Sequence, residues 1–167
     1  MKPYGIQIRR ATVQDAAIVH EITIEAFTQY SKNLGIPVAA LHESVADVAA
    51  DIKQKIVFLA LQDGVPMGVM RLEPKHGWGY FSRFGVKKTT RGNGLGAALI
   101  DAATDWARQE GLQGLILHTS SKMLSLVRFY YTHGFFIDST DKSRGYIRAL
   151  LVKPVAEGAQ ANPEDWL

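Results

Sequence analysis

The stretch "KTTRGNGLGAALIDAATDWA" runs from a basic, polar segment through three glycines, spaced two apart, into an alanine-rich helical pattern. Glycines gather where a backbone must turn sharply or come close to a ligand. Mid-chain, this fixes a tight loop feeding a helix, and two familiar loops of that kind can be tested. Gly92, Gly94 and Ala97 fit the dinucleotide pattern G-x-G-x-x-G/A. That pattern needs an apolar strand directly before the first glycine and an acidic residue about 20 positions later. Here Lys87, Lys88, Thr89, Thr90 and Arg91 come first, and the next apolar run, "GLILHTS", ends in His118, Thr119 and Ser120. Both flanks fail. The phosphate loop G-x-x-x-x-G-K-[ST] is absent. What remains is a helix N-terminus whose unpaired N–H groups form an anion site. Gly92, Gly94 and Gly96 would let a pyrophosphate reach the main chain, with Arg91 and the Lys87–Lys88 pair adding positive charge. A glycine-rich turn with helix caps and no ligand is the plainer alternative.

The periodicity around this loop sets the architecture. "IQIRRAT" alternates as a strand does, and Thr12 with Asp15 starts a helix whose buried stripe holds Ile18, Ile22 and Phe27. Gly35 and Pro37 break that helix, and a second helical stretch over 39–54 spaces Leu41, Val45, Val48 and Ile52. "IVFLALQ", "MGVMRLEP" and "YFSRFGV" read as strands separated by the turns "DGVP" and "HGWG". A helix from Leu95 to Gln109 carries Leu95, Leu99, Ala102 and Trp106 on one face and stops at Gly111. "GLILHTS" is a strand, "KMLSLVRFYYTH" a short helix ended by Gly134, and "FFIDST" and "YIRALLVKPV" close the order. The fold class is α/β (α+β): a mixed twisted sheet of about seven strands flanked by about four helices. A single domain is expected over residues 1–155, with 156–167 a polar tail loose at the surface.

Composition excludes several classes. The 167 residues contain no cysteine, which rules out disulfides, thiolate nucleophiles and cysteine metal sites. No apolar run approaches the about 20 residues that span a bilayer, and "MKPYGIQIRRAT" lacks a signal-peptide core. A cytoplasmic protein is expected, with no membrane partner. The net charge of +3 is spread over scattered Lys and Arg, so no nucleic-acid partner is expected.

Together these pieces resemble the GNAT superfamily of acetyl-CoA-dependent N-acetyltransferases. Its phosphate loop, R/Q-x-x-G-x-G/A, stands here as Arg91-Gly92-Asn93-Gly94-Leu95-Gly96 after a strand ending in "FGV". Its second signature stands as Phe129-Tyr130-Tyr131-Thr132-His133-Gly134-Phe135, one strand later. The resemblance covers residues 6 to 153 and implies a GNAT-type acyl-CoA N-acyltransferase fold and acetyl transfer from acetyl-CoA to a primary amine. It implies that main-chain groups of Phe84, Gly85 and Val86 bond the pantetheine arm where two parallel strands splay apart. Amides from Arg91, Gly92, Asn93, Gly94, Leu95 and Gly96 would cradle the pyrophosphate, and Tyr130 would be the general acid toward the leaving thiolate. One departure is Met123, which stands where relatives often carry an asparagine; Ser121 or Ser125 could supply a hydroxyl instead.

The chemistry needs an amine to lose a proton, attack the thioester carbonyl and expel a thiolate. A phenol can protonate the thiolate, and an N–H near Val86 could polarise the carbonyl. No covalent enzyme intermediate and no metal are needed. Glu73 and His118 are the candidate bases, against readings as a solvated carboxylate and a structural histidine. Glu25 and Glu43 flank the "SKNLGIP" loop, which by family analogy walls the acceptor site; surface charge is their default. Tyr30, Arg71 and Arg83 could line that pocket, and paired arginines there would favour an acceptor carrying a carboxylate or phosphate. The acceptor amine could belong to a small molecule or a protein, and the apolar last strand could pair across a homodimer. The alternative class is an acyl-CoA-binding sensor or regulatory module without turnover.

Overall fold

The computed structural model describes residues 5–35, 38–88 and 92–167. Its elements are β1 (Ile6–Arg10), α1 (Ala16–Leu34), α2 (Val45–Gln54), β2 (Ile56–Gln62), β3 (Val65–Lys75), β4 (Trp78–Val86), α3 (Leu95–Gln109), β5 (Gly114–Ser120), α4 (Leu124–Thr132), β6 (Phe136–Asp141) and β7 (Arg148–Pro154). The strands hydrogen-bond in the order β1-β2-β3-β4-β5-β7-β6. β4 and β5 run parallel, whereas β1–β2, β2–β3, β5–β7 and β6–β7 are antiparallel. This is the mixed sheet that the alternation of periods predicts. The chain divides into two compact units, Met1–Glu73 with Arg83–Ala102, and Pro74–Ser82 with Ala103–Leu167.

In the first unit the start of α1 is set by Asp15. Its carboxylate accepts from the Thr12 N–H at 2.8 Å and from the Arg9 fork at 2.9 and 3.0 Å. The bond from Arg9 is the main reason its pKa falls to about 2. Gly35 ends the helix at φ 72°, a conformation that costs glycine little. The stretch expected as one helix over 39–54 is divided. Ala39–His42 form a 3-10 turn, and α2 starts afresh at Val45. Ser44 and Asp47 cause the break by exchanging side-chain and backbone bonds in a capping box, at 2.9 and 3.1 Å. Val48 and Ile52 are therefore buried while Val45 is exposed. They join Val19 and Ile22 of α1, Val57, Leu59 and Leu61 of β2, and Val69 of β3 in one core. Burying each such side chain stabilises by about 1.5–3 kcal/mol.

The second unit departs from expectation at its end. Residues 156–167 are not loose. Pro163–Trp166 form a 3-10 turn capped by Asn162, and Trp166 is buried. Trp166 packs with Trp78, Ile116, Leu150 and Val152, with Ala159 and Ala161 beside them. Its ring stacks on Tyr80 with centroids 5.6 Å apart. The register pairs Tyr80 with Ile116, and Ile116 with Val152, so these residues form one apolar sheet face that the tail covers. The tail's polar composition hid a single anchor.

Candidate functional site

Helix α3 begins from the glycine loop. Gly92 and Gly94 both have φ 88°, in the region that side chains rarely adopt. The Ala98 N–H donates to the Gly94 carbonyl at 3.0 Å, which makes Gly94 the cap. Leu95, Leu99, Ala103 and Trp106 are buried, and that stripe holds the helix in place. The first N–H groups of such a helix have no partner within it and carry the positive end of its dipole. Leu95 and Gly96 belong to that first turn, while Asn93 just ahead of it is exposed. Donors in this arrangement fit an anion such as a pyrophosphate. Arg91, expected as the first residue of the loop, lies outside the described residues.

β4 leads into this loop. Arg83 sits inside the strand at φ 50°, a left-handed conformation uncommon for a non-glycine residue. Phe84, Gly85 and Val86 follow, half-buried. A Cβ on Gly85 would lie 2.5 Å from the Ala26 Cβ, so the glycine is what lets α1 lie against the strand. Lys87 donates its N–H to the Met67 carbonyl at 2.8 Å and pairs loosely with Glu21 at 3.9 Å.

A network of charge joins α2, β3 and β4 through Asp51, Arg71, Glu43 and Arg83. Arg71, in the otherwise apolar middle of β3, is 1% exposed. Its Nη1 donates to Glu43 at 3.0 Å and Asp51 at 2.8 Å, and its Nη2 to Glu43 at 2.8 Å. Arg83 Nε donates to the same Glu43 at 2.8 Å. Burial works to raise the Glu43 pKa, but the two arginines outweigh it and the carboxyl is held below its usual range. Glu43 is thus a fixed anion at the centre of the cluster, where the sequence offered a surface charge as default. Asp51 was missed altogether. The signal was an arginine inside "MGVMRLE", because a buried guanidinium must find carboxylates. Glu73 is half-buried at the end of β3 with Lys55 Nζ 3.6 Å away, and Lys55 is also 3.6 Å from Asp51. Glu25 is exposed, and Tyr30 packs edge-on against Phe27.

In the second unit α4 carries the tyrosine pair, and the helix separates their surroundings. Tyr130 is 4% exposed, ringed by Phe81, Phe129 and Phe135 at centroid distances of 5.5 to 6.0 Å. Tyr131 is 50% exposed and accepts from the Ile137 N–H at 3.1 Å. The Phe135 N–H returns to the Tyr130 carbonyl at 3.0 Å while Gly134 turns at φ 91°, which explains the glycine in this motif. Met123 caps α4 without a side-chain bond. The Ser121 hydroxyl donates to the Ile147 carbonyl at 2.8 Å, and Ser125 is exposed.

His118 is tied into the unit's interior. Its Nδ1 meets the Tyr80 hydroxyl at 3.0 Å, and its buried Nε2 makes no hydrogen bond. The neighbouring Trp166 carbonyl accepts instead from Arg148 Nη2 at 2.8 Å. Burial, reinforced by the Arg148 charge, pushes the His118 pKa down to about 4. The ring is therefore neutral at pH 7. Among the described residues no cluster of three His, Asp or Glu could hold a metal ion, and no helix is long and apolar enough to cross a membrane.

Residues 19–135 match the Acetyltransferase (GNAT) family. Streptothricin acetyltransferase A of Bacillus subtilis (strain 168) is 30% identical over 88 residues, covering 52% of this chain and 51% of its own length, so the chain spans about half of that relative. IAA acetyltransferase of Azospirillum brasilense is 30% identical over 130 residues, covering 76% of this chain and 81% of its own. Among solved structures, the PaiA N-acetyltransferase of Thermoplasma acidophilum in complex with coenzyme A superposes with a TM-score of 0.78 at 18% identity. It covers 90% of this chain and 99% of its own. YncA of Salmonella typhimurium, solved with acetyl-CoA, gives 0.72 at 18% identity over 95% and 98% of the two chains.

Proposed function

The chain belongs to the GNAT family of acetyltransferases, and from that premise we propose that it moves the acetyl group of acetyl-CoA onto a primary amine of a small molecule or a protein. The observation that carries this reading is the Gly92–Gly94 turn opening directly into α3. A pair of positive-φ glycines at a helix N-terminus suits a pyrophosphate, whose charge meets main-chain donors without a Cβ in the way. In this reading Arg91, Gly92, Asn93, Gly94, Leu95 and Gly96 hold the pyrophosphate, and main-chain groups of Phe84, Gly85 and Val86 hold the pantetheine arm. Acetyl-CoA supplies the activated thioester carbonyl. The acceptor's neutral amine attacks that carbon, and the carbon–sulfur bond breaks.

Tyr130 gives its phenolic proton to the departing sulfur. Its aromatic surroundings keep bulk water from competing for that position. Glu73 takes the proton that the amine gives up, through water, because its half-exposed carboxylate is open to solvent exchange. His118, neutral and bonded to Tyr80, serves packing instead. Residues 1–155 act as the catalytic domain, with 156–167 as a packed appendage.

Isothermal titration with acetyl-CoA on wild type and Gly94→Trp is the first test, followed by free-thiol release with an amine panel. Binding lost in Gly94→Trp, together with amine-dependent thiol release, is expected. Acetyl-CoA that fails to bind the wild-type chain would sink the reading. Binding without thiol release would make the protein a sensor.

A further inference from the structure

Arg71 and Arg83 share one carboxylate but are not equivalent. Arg71 is sealed in, and its Nη1 and Nη2 are spent on Glu43 and Asp51. Arg83 spends only Nε, on Glu43 Oε1 at 2.8 Å. Its Nη1 and Nη2 have no partner among the described residues, and its side chain is 27% exposed. Glu43 is 14% exposed and receives donors on both oxygens, so it acts as a clamp on the inner edge of the Arg83 guanidinium. The outer edge is two donors, oriented and open.

The backbone adds a second, independent sign. Arg83 holds φ 50° inside a strand, where glycine would be at ease and arginine is not. Non-glycine residues persist in such conformations only when their surroundings over-determine them, and they gather at functional sites. Here Glu43 clamps the Arg83 side chain, and the close packing of Gly85 on Ala26 fixes the strand just after it. Arg83 also directly precedes Phe84–Val86, the stretch assigned above to the pantetheine arm. In that reading Arg83 stands next in the chain to the residues that hold the acyl donor.

We infer that Arg83 reads a carboxylate on the acceptor, so that the amine substrates of this enzyme are amino acids or other amine-bearing carboxylates. A guanidinium edge matches a carboxylate with two parallel N–H···O bonds, which a neutral amide or a bare amine cannot reproduce. Because Glu43 already fixes the plane, little rotamer freedom is left to lose on binding. The inference rests on the acetyltransferase reading and deepens it by naming the substrate class.

The test uses pairs of acceptors that differ only by the carboxylate, such as lysine with cadaverine and tyrosine with tyramine, read by free-thiol release. Wild type should prefer the carboxylate partner by about tenfold or more in kcat/KM, the value of one well-placed ionic contact, with the difference in KM. Arg83→Gln should erase that preference and Arg83→Lys restore part of it. A second readout needs no turnover. The Nε–Hε resonance of Arg83 should move when N-acetylglycine is added and stay still with N-acetylglycinamide. Transfer that ignores the carboxylate, with an unmoved resonance, overturns this inference and leaves the acetyltransferase reading standing. A resonance that moves in a protein that acetylates no amine overturns that reading and keeps the carboxylate site.

Discussion

Each of the two units is organised around a buried arginine, and the two networks end differently. In the second unit Arg148 is 6% exposed and gives Nε to Asp141 at 2.8 Å and Nη2 to the Trp166 carbonyl at 2.8 Å. Asp141 is locked in turn by Ser143 and by Arg148, which hold its pKa at about 2. This network turns inward and pins a chain end. In the first unit Arg71 plays the same inward part between Glu43 and Asp51, but Glu43 passes the charge on to Arg83, which ends at the surface. A buried arginine whose partners close on themselves is structural. One whose partner holds a second, partly exposed arginine reaches the surface.

The largest effect should come from breaking the inward half of the first network. Arg71→Met leaves Glu43 with Arg83 alone and Asp51 with only the looser Lys55, and breaking a buried pair from one side costs about 3–5 kcal/mol. Urea denaturation should show that loss as a lower midpoint. A loss under about 1 kcal/mol would mean that water reaches the cluster freely, as at a surface ion pair. Next in size is the anchor of the second network. Trp166→Ala removes a ring buried against Tyr80, Ile116 and Val152. It should cost about 2–3 kcal/mol, at or below the low end for a buried tryptophan because a terminal segment can fray and refit. Native-state proteolysis should then cut the last ten or so residues first. An unchanged cleavage pattern would mean that the tail is not held by this ring.

The contrast also explains what the sequence could and could not disclose. The strands and α3 were legible because period and turn chemistry agree. Asp63–Gly64 and His76–Gly77 both take positive φ, as two-residue hairpin turns require. The glycine loop and the "FYYTHGF" motif were legible because their spacing is local. The network was not, because Glu43, Asp51, Arg71 and Arg83 lie 8 to 40 positions apart and only folding joins them. Of the arginine pair suggested for the acceptor pocket, Arg71 is committed to the interior and Arg83 keeps a partly exposed side chain. Trp166 was hidden by its polar neighbours, since composition averages over the one residue that matters.

Acid should act first on the second unit. His118 ordinarily titrates at 6.5 and is held near 4 in the folded state. Between those values the unfolded chain binds the proton and the folded chain does not, so stability falls as pH drops through that window. With allowance for partial exposure of the ring, the loss is on the order of 1–2 kcal/mol. Asp15 and Asp141 take over at lower pH. Their depressed pKa values of about 2 mean that stability is lost as pH falls from 3.8 toward 2. His118→Gln can still bond Tyr80 but does not titrate, so its melting temperature should stay level between pH 6.5 and 4 while that of wild type falls. Parallel curves for the two proteins would refute the assignment.

The smallest stability effect is also the sharpest test of the contrast. If Arg83 is an outlet rather than a strut, Arg83→Gln should change folding stability by no more than about 0.5 kcal/mol. A half-exposed ion pair is worth little to folding. The substitution leaves Glu43 with both donors from Arg71, so no buried carboxylate is stranded. The same change should cost acceptor recognition about tenfold, so activity and stability come apart at this one residue. Arg148→Gln makes the control. There the removed charge bonds Asp141 and the Trp166 carbonyl and lies near His118, and any loss of activity should track the loss of folded protein. Should Arg83→Gln instead destabilise as much as Arg71→Met, the two arginines would form a single structural unit. The difference between an inward and an outward network would then disappear.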